Sequence, residues 1–300
     1  MAWQTPEPLA SSSSTPLDEP VTRRTFLKQA ILTALAGTAL GDGGLYYIKN
    51  VEPYRPVVER LTLALPSLPA AADGLRLAQL SDLHVGRTMT AQDVARGVAL
   101  VNAERPDLVV VTGDYVTGDA RYAGPCAREL GRLQAPLGVW AVLGNHDQWT
   151  KAKEITATLR EAGLRVLINQ AIAPIPNVPL WLVGLDDIWS GKPNLPASVA
   201  ALPPDGCRIL LAHEPDFADE AARPDYRIAL QLSGHSHGGQ VRLPLVGAPV
   251  LPHLGRKYDE GLRRVGGMWL YTNRGLGMVE PAVRFNCPPE VTLFTLTRVP

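Results

Sequence analysis

Aspartate, asparagine and histidine residues follow directly after five short apolar runs of the sequence. They stand in the segments SDLH (81–84), TGD (112–114), GNHD (144–147), HE (213–214) and SGHSH (233–237). Each segment alone has an ordinary structural explanation, such as a turn or a hydrogen-bonded core histidine. Five repetitions at the same kind of position are hard to explain by turn chemistry, and clustered buried carboxylates and imidazoles cost much desolvation free energy without a cation. The pattern therefore predicts a metal site.

Seven residues of these segments are candidate metal ligands. They are Asp82, His84, Asp114, Asn145, His213, His235 and His237. Carboxylate, amide and imidazole ligands without cysteine suit Mn, Fe or Zn. Seven ligands exceed what one ordinary ion takes, so the count favours two divalent ions that share a carboxylate. Two ions about 3.5–4 Å apart suit displacement at phosphorus, because they lower the pKa of a water molecule and neutralise phosphate oxygens.

The elements that must position these ligands are strands and helices in alternation. Nine apolar runs predict strands: 61–65, 75–80, 108–111, 138–143, 179–185, 207–212, 228–232, 268–272 and 291–297. Helices are predicted at Thr90–Ala103, Ala123–Leu133 and Thr150–Ala162, the first with Thr90 as its N-cap. Helices between the early strands and mostly strands later predict an α/β sandwich of packed sheets. Ligands bind at the carboxyl ends of strands in such sheets, so the polar segments should meet there.

Composition places the chain among globular proteins. It has 300 residues, of which 46% are hydrophobic and 19% charged, and its formal net charge is zero. This balance argues against nucleic acid as a partner, since that would need a basic surface. Cys126, Cys207 and Cys287 form neither a CxxC pair nor a disulfide framework, and we expect them to be small buried hydrophobic residues.

The first 50 residues are predicted to lie outside a catalytic domain that spans 51–300. Residues 1–20 are rich in proline and serine, which is typical of disorder. The segment TRRTFLK (22–28) precedes a weakly apolar run and resembles a twin-arginine export signal. Export across the cytoplasmic membrane is therefore expected, with the twin-arginine machinery as a partner. The segment is either cleaved, which leaves a periplasmic protein, or kept as a membrane anchor.

The motifs as a set resemble a known family. SDLHVG, TGDYV, GNHD, the isolated His213 and GHSHGGQ match, in order and over about residues 75 to 240, the motifs of the calcineurin-like metallophosphoesterases. GHSHGGQVRLP, and the later YTNRGLG and VRFNCPPEV, look like a bacterial subgroup of exported or membrane-associated phosphodiesterases. The resemblance implies a four-layer α/β/β/α sandwich. It also implies hydrolysis of phosphodiester or pyrophosphate bonds of lipid-linked or nucleotide-sugar substrates, since some relatives hydrolyse the pyrophosphate of UDP-diacylglucosamine.

The same resemblance implies a role for each site residue. Asp82, His84 and His237 would bind the first ion, and Asn145, His213 and His235 would bind the second. The Asp114 carboxylate would bridge the two ions. A hydroxide held between the ions would attack phosphorus without forming a phospho-enzyme. His146 would face the scissile phosphate and protonate the leaving oxygen, and Asp147 would orient His146.

Substrate choice lies outside these motifs. Arg87 and Arg274 are either phosphate contacts or solvated surface arginines, while Trp149 and Trp189 either rim the site or pack against the fold. Contact with a membrane or lipid surface is an open possibility that the subgroup implies. Two other functions compete: a phosphomonoesterase or nuclease at the same centre, and a catalytically inactive binding module. Neutral charge speaks against a nuclease, and the full set of motif residues speaks against an inactive module.

Overall fold

A computed structural model describes residues 41–299. The disordered segment and the twin-arginine segment predicted at residues 1–28 lie outside the described residues. Contacts divide the chain into two units, Met1–Leu45 and Tyr46–Pro300, and the strands and the metal-ligand candidates all belong to the second unit. Within residues 41–299, no helix combines the length and the apolar character that crossing a membrane requires.

The described chain contains twelve strands and six helices of the α type. The strands are β1 (Val57–Leu65), β2 (Arg76–Leu80), β3 (Leu108–Val111), β4 (Val139–Ala141), β5 (Arg165–Val166), β6 (Gln170–Ile172), β7 (Leu180–Gly184), β8 (Cys207–Leu211), β9 (Ile228–Ser233), β10 (Gly261–Val265), β11 (Met268–Thr272) and β12 (Glu290–Arg298). The helices are α1 (residues 41–50), α2 (Ala91–Ala103), α3 (Ala123–Leu130), α4 (Asn145–Glu161), α5 (Leu195–Val199) and α6 (Ala218–Ala221). All nine predicted strands are present, and the short strands β5, β6 and β10 were not predicted.

The strands form two mixed sheets of six strands each. The first has the order β1-β12-β2-β3-β4-β5, and the second has the order β10-β11-β9-β8-β7-β6. In the first sheet β12 is antiparallel to β2, and the other neighbours are parallel. In the second sheet β8, β9, β7 and β11 are parallel, and the edge strands β6 and β10 are antiparallel to their neighbours. The carboxyl ends of β2, β3 and β4 therefore share one edge, as do those of β8 and β9.

Three buried apolar cores separate four layers. Successive residues of a strand face opposite sides of its sheet, and Val109 and Val111 accordingly join the core under α2, α3 and α4, whereas Val110 joins the core between the two sheets. A third core lies between the second sheet and the short helices α5 and α6. The predicted α/β/β/α sandwich is thus confirmed.

The helices show where sequence patterns locate an element well and where they do not. Helix α2 begins as predicted, with Thr90 and Asp93 forming a capping box. Helix α3 ends three residues earlier than predicted, at Leu130. Helix α4 begins at Asn145 instead of Thr150, because Lys151 has φ −164° and ψ 77° and divides it into a short first part and a main part. The main part matches the predicted helix, and the first part contains most of GNHD.

Candidate metal centre

Five strand ends from the two sheets converge on one buried cluster. The backbone N–H of Asp82 donates to the Gly113 carbonyl (3.0 Å), and that of Gly234 donates to the His213 carbonyl (2.9 Å), so neighbouring strand ends within each sheet are held together. The two sheets are joined by the N–H of His235, which donates to both carboxylate oxygens of Asp82 (3.0 Å each). The predicted meeting of the polar segments is therefore found.

One half of the cluster consists of Asp82, His84 and His237. The Nε2 atoms of His84 and His237 are 2.9 Å apart, and the Asp82 Oδ1 atom lies 3.3 Å from the Nε2 atom of His237. All three side chains are buried. Their ligand atoms lie within 4.8 Å of one another, which is close enough to hold one ion.

Asp114 lies between this group and His213. Its Oδ2 atom is 3.4 Å from the Nε2 atom of His84 and 3.2 Å from that of His213. The Nδ1 atom of His213 lies 2.6 Å from the Thr112 carbonyl oxygen, so it must carry the ring proton. In the neutral ring the buried Nε2 atom of His213 carries a lone pair that has no hydrogen-bond partner among the described residues, although the carboxylates of Asp114 and Asp82 outweigh burial and raise the pKa of this imidazole well above its usual range. A cation beside Asp114 would satisfy that lone pair.

The pair His235 and Asn145 gives the sharpest test of whether the residues fit a metal. The Nε2 atom of His235 lies 2.7 Å from the His253 carbonyl oxygen, so Nε2 carries the proton and Nδ1 is a lone pair. The Nδ1 atom lies 2.9 Å from the Oδ1 atom of Asn145, which is also an acceptor. With the Asn145 amide in this orientation two acceptors face each other, and a cation that binds both would satisfy them, so the donor set fits a metal ion.

The charges of the cluster support the same interpretation. Burial opposes ionisation of Asp82, yet the neighbouring histidines hold its pKa well below the usual range. Burial also opposes ionisation of Asp114, and His213 outweighs it and lowers that pKa. Burial, helped by the nearby His213, lowers the pKa of His235 to about 4, so this imidazole is neutral at pH 7 and able to act as a ligand. The cluster thus combines anionic carboxylates with a neutral imidazole.

His146 lies beside the cluster at the start of α4. Its ring centroid is 4.7 Å from that of His84, and its backbone N–H donates to the Oδ1 atom of Asp114 (2.9 Å). Burial lowers the pKa of His146. One nitrogen of His146 also lies within 4.8 Å of ligand atoms of His84 and Asp114.

The expected hydrogen bond from the His146 ring N–H to the Asp147 carboxylate is not found among the described residues. The Asp147 carboxylate instead accepts three backbone N–H bonds, from Asp114 (2.9 Å), Tyr115 (2.9 Å) and Gly144 (3.0 Å). The physical reason is that Asp147 is the third residue of α4, where a carboxylate caps the free N–H groups of the helix start. Asp147 therefore ties the loop after β3 to helix α4.

The backbone at the cluster adopts an uncommon conformation. Five of the seven candidate ligands have φ in the left-handed region, between 49° and 68°: Asp82, His84, Asp114, His235 and His237. Such angles are uncommon for residues other than glycine and concentrate at functional sites. Gly144 has a related explanation, because a Cβ atom there would overlap the Asp114 carboxylate. A glycine before Asn145 allows the two segments to approach this closely.

Two clefts are lined in part by residues of the cluster. The larger, of about 500 Å³, is lined by His146, Trp149 and Trp189 together with apolar residues 249–252. Trp149 and Trp189 thus rim the site, with ring centroids 4.9 Å apart. The smaller, of about 370 Å³, is lined by His84 and by Arg87, whose side chain is exposed.

Arg274 is an ion-pair residue instead of a solvated surface arginine. Its guanidinium donates to Glu290 (2.5 Å) and to Glu59 (2.6 Å). Both carboxylates raise its pKa further, against the effect of burial.

Several residues that hold the site could not be found from sequence. The Oγ1 atom of Thr117 lies 2.8 Å from the Nδ1 atom of His84. The Thr112 carbonyl anchors His213, and the His253 carbonyl anchors His235. Glu214 accepts the N–H groups of Ile188 and Trp189, which places Trp189 at the rim. Backbone carbonyls carry no residue-type signal, so only Glu214, next to His213 in the sequence, offered a clue.

Known proteins resemble this chain closely. A sequence model described as calcineurin-like phosphoesterase matches residues 75–239. The metallophosphoesterase YkuE of Bacillus subtilis (strain 168) is 34% identical over 92% of this chain and 98% of its own length. Phosphodiesterase YaeI of Escherichia coli (strain K12) is 37% identical over 92% of this chain and 99% of its own length.

A third relative carries a more specific name. UDP-2,3-diacylglucosamine pyrophosphatase LpxG of Chlamydia trachomatis is 28% identical over 87% of this chain and 96% of its own length. The family is dependent on a dinuclear metal centre, and the cluster described above supplies candidate ligands for one. The chain therefore belongs to the calcineurin-like phosphoesterase family and is a metal-dependent hydrolase of phosphoric esters.

Proposed function

We propose that the protein is a phosphodiesterase or pyrophosphatase with two divalent ions, Mn, Fe or Zn, held by seven ligands. Asp82, His84 and His237 would bind one ion, and Asn145, His213 and His235 would bind the other. Asp114 would bind both ions. The observation that carries this proposal is the position of the Asp114 Oδ2 atom between the Nε2 atoms of His84 (3.4 Å) and His213 (3.2 Å). An oxygen so placed is suited to bridging two ions.

The two ions would supply Lewis acidity, which lowers the pKa of a water molecule and neutralises charge on the phosphate. The chain's own contribution is to orient the phosphate and to move protons. His146 lines the cleft and is half-buried, so its imidazole would be placed to donate a proton to the leaving oxygen. Asp147 would act as a positioning residue, since it fixes the backbone of Asp114 and the first turn of α4.

A substrate with an apolar group fits the larger cleft best. Trp149, Trp189, Val250 and Leu251 line it beside His146, and such a wall favours acyl chains or stacked rings. The similarity to YaeI and LpxG, which are named as a phosphodiesterase and a pyrophosphatase, supports a diester or pyrophosphate bond as the target. We extend this to lipid-linked or nucleotide-sugar substrates. Nucleic acid is not expected, because the chain has zero formal net charge.

The test of the reaction compares two soluble esters with metal supplied. We expect faster hydrolysis of bis-p-nitrophenyl phosphate, a diester, than of p-nitrophenyl phosphate, a monoester. The opposite preference would assign a phosphomonoesterase. A protein that binds metal poorly and hydrolyses neither ester would be a binding module, and the proposal would be wrong.

The bridging assignment is tested by Asp114→Ala. Loss of a shared ligand should deplete both ions, so we expect metal analysis to show far less than one ion per chain. Retention of the full metal content would contradict the bridging role. Asp216→Ala, which changes an aspartate that binds backbone N–H groups of residues 256–258, is the matched control and should keep both ions.

We also propose export by the twin-arginine route, followed by a periplasmic location or retention by a membrane anchor. The support is the segment TRRTFLK at 22–28. Replacing Arg23 and Arg24 with lysine should keep the protein in the cytoplasm, as measured by fractionation of a bacterial host with an active twin-arginine system. Undiminished export of the double variant would rule this route out.

A further inference from the structure

The turn at residues 243–247 presents apolar side chains to solvent. Within residues 41–299, Leu245, Val246 and Val250 are the most exposed large hydrophobic side chains, and Leu245 is fully exposed. The turn is well formed, because Leu243 and Gly247 exchange two backbone hydrogen bonds, each of 2.9 Å. The exposure therefore belongs to a defined structure.

Leucine is a costly residue at position 245 for two reasons. Its φ is 66°, in the left-handed region that glycine and asparagine tolerate better. Its side chain contributes nothing to a core, since it is fully exposed. Neither local conformation nor packing accounts for leucine here, and such outliers point to function.

The segment that contains the turn carries no charged residue. Residues 243–255, LPLVGAPVLPHLG, contain no aspartate, glutamate, lysine or arginine, and the exposed Arg256 follows them. A segment without charge can enter the interfacial region of a bilayer without desolvating an ion, and a flanking cation is attracted to anionic headgroups.

The apolar segment continues directly into the catalytic cleft. Val250 and Leu251 line the cleft that also contains His146. The segment packs closely against the backbone that follows His237. A Cβ atom at Gly239 would overlap the Cβ atom of Ala248. Whatever covers the turn therefore lies at the mouth of the cleft.

The size of the apolar surface favours a bilayer over a protein partner. Four large exposed hydrophobic side chains lie in 243–250: Leu243, Leu245, Val246 and Val250. A stable protein interface uses about 20–30 residues on each side. Four side chains in this short segment are too few for a stable protein interface. Their number is suited to shallow insertion into lipid.

We propose that the apolar turn, residues 243–250, inserts into the surface of a lipid bilayer and holds the cleft against it. Insertion can be measured without turnover, so the proposal stands or falls separately from the proposed reaction.

The experiment places a fluorescent reporter in the turn of the full-length protein. Val246→Cys is labelled with an environment-sensitive dye and mixed with vesicles of phosphatidylglycerol and phosphatidylethanolamine. The native cysteines, Cys126, Cys207 and Cys287, are buried, so labelling should be selective. The matched control is Glu161→Cys, an exposed position at the other end of α4 from Asn145. We expect a blue shift for the dye at 246 and none at 161.

A second variant links the shift to the apolar tip. Leu245→Asn suits the left-handed backbone, so the melting temperature and the turnover of bis-p-nitrophenyl phosphate should be unchanged or raised. Loss of a leucine side chain that would be buried in the lipid should raise the lipid concentration needed for half of the shift by about tenfold or more.

Three results would overturn the proposal. The first is no shift at 246 although the protein pellets with vesicles, which would place lipid contact elsewhere in the chain. The second is a shift without lipid that grows with protein concentration, which would assign the turn to contact between copies of the chain. The third is no binding to vesicles at all. If instead the shift occurs but neither test ester is hydrolysed, the docking surface stands and the proposed reaction fails.

Discussion

At the scale of single residues, three imidazoles of the cluster are oriented by a hydrogen bond to the ring nitrogen that faces away from the cluster. Thr117 and the Thr112 carbonyl hold the Nδ1 atoms of His84 and His213, whereas the His253 carbonyl holds the Nε2 atom of His235. Residue types and spacing predicted these histidines as ligands. They could not predict which nitrogen faces the cluster, because that depends on partners distant in sequence.

Replacing His146 should separate proton transfer from metal binding. In His146→Ala we expect turnover of bis-p-nitrophenyl phosphate to fall by about 10²–10⁴-fold, since a general acid contributes about that much. The metal content should be unchanged, because the seven proposed ligands remain. Steady-state kinetics and metal analysis of the same sample check both.

The control for this change is His253→Ala. The carbonyl of residue 253, which anchors His235, is kept, so turnover should stay close to that of the native protein. Because His146 also lies within 4.8 Å of ligand atoms of His84 and Asp114, metal loss in His146→Ala is the contrary outcome, and it would make His146 a ligand.

Replacing Asp147 should destabilise the fold as well as the site. Asp147→Asn removes one acceptor oxygen and directs N–H donors at backbone N–H groups, so the free energy of unfolding should fall by about 1–3 kcal/mol. Urea unfolding measures this. Asp225→Asn changes an exposed aspartate and should alter stability by less than about 0.5 kcal/mol. Equal stability of both variants would show that the three hydrogen bonds contribute little.

At the scale of elements, the junction between β4 and α4 is a tightly packed part of the centre. The strand ends at Ala141 and the helix begins at Asn145, so three residues separate them. Gly144 lies against the Asp114 carboxylate, and Asp147 caps the helix from within. The sequence predicted the strand and the main part of the helix. It did not predict the first turn of α4, because the non-helical backbone at Lys151 separates that turn from the main part of the helix.

Adding one methyl group at this junction should disrupt the centre. In Gly144→Ala the new Cβ atom would overlap the Asp114 carboxylate, so we expect at least one ion to be lost and turnover to fall at least about tenfold. Gly124→Ala is the matched control, since its Cβ atom meets nothing within 4 Å in helix α3. It should keep full activity and gain up to about 1 kcal/mol. Full metal content in Gly144→Ala would show that the junction can move.

At the scale of the whole molecule, the layers were predictable and the surfaces were not. The alternation of apolar runs and helices identified nine strands and three helices, because burial sets the period of the pattern. The ion pairs of Arg274 with Glu59 and Glu290, and the exposed turn at Leu245, depend on segments far apart in sequence or on local backbone geometry. No periodic pattern encodes these.

Removing metal should lower the stability of the whole fold. Five strand ends share the cluster, so bound ions would stabilise both sheets together, by about 2.7 kcal/mol per site at a hundredfold excess over Kd. A chelator should therefore lower the melting temperature, and Mn, Fe or Zn should restore it. The Asp114→Ala variant should respond much less. Equal melting temperatures with and without chelator in the native protein would contradict a structural contribution from metal.

The position of β12 sets the order in which the protein can mature. This strand, Glu290–Arg298, pairs with both β1 and β2, so those two strands stay unjoined until β12 has been synthesised. At ribosomal rates of about 5–20 residues per second, roughly 10–40 seconds separate β2 from β12. Asp82 follows β2 directly and is among the first ligands to be made. All seven candidate ligands precede β12 in the chain, so every one of them is made before the first sheet can be completed.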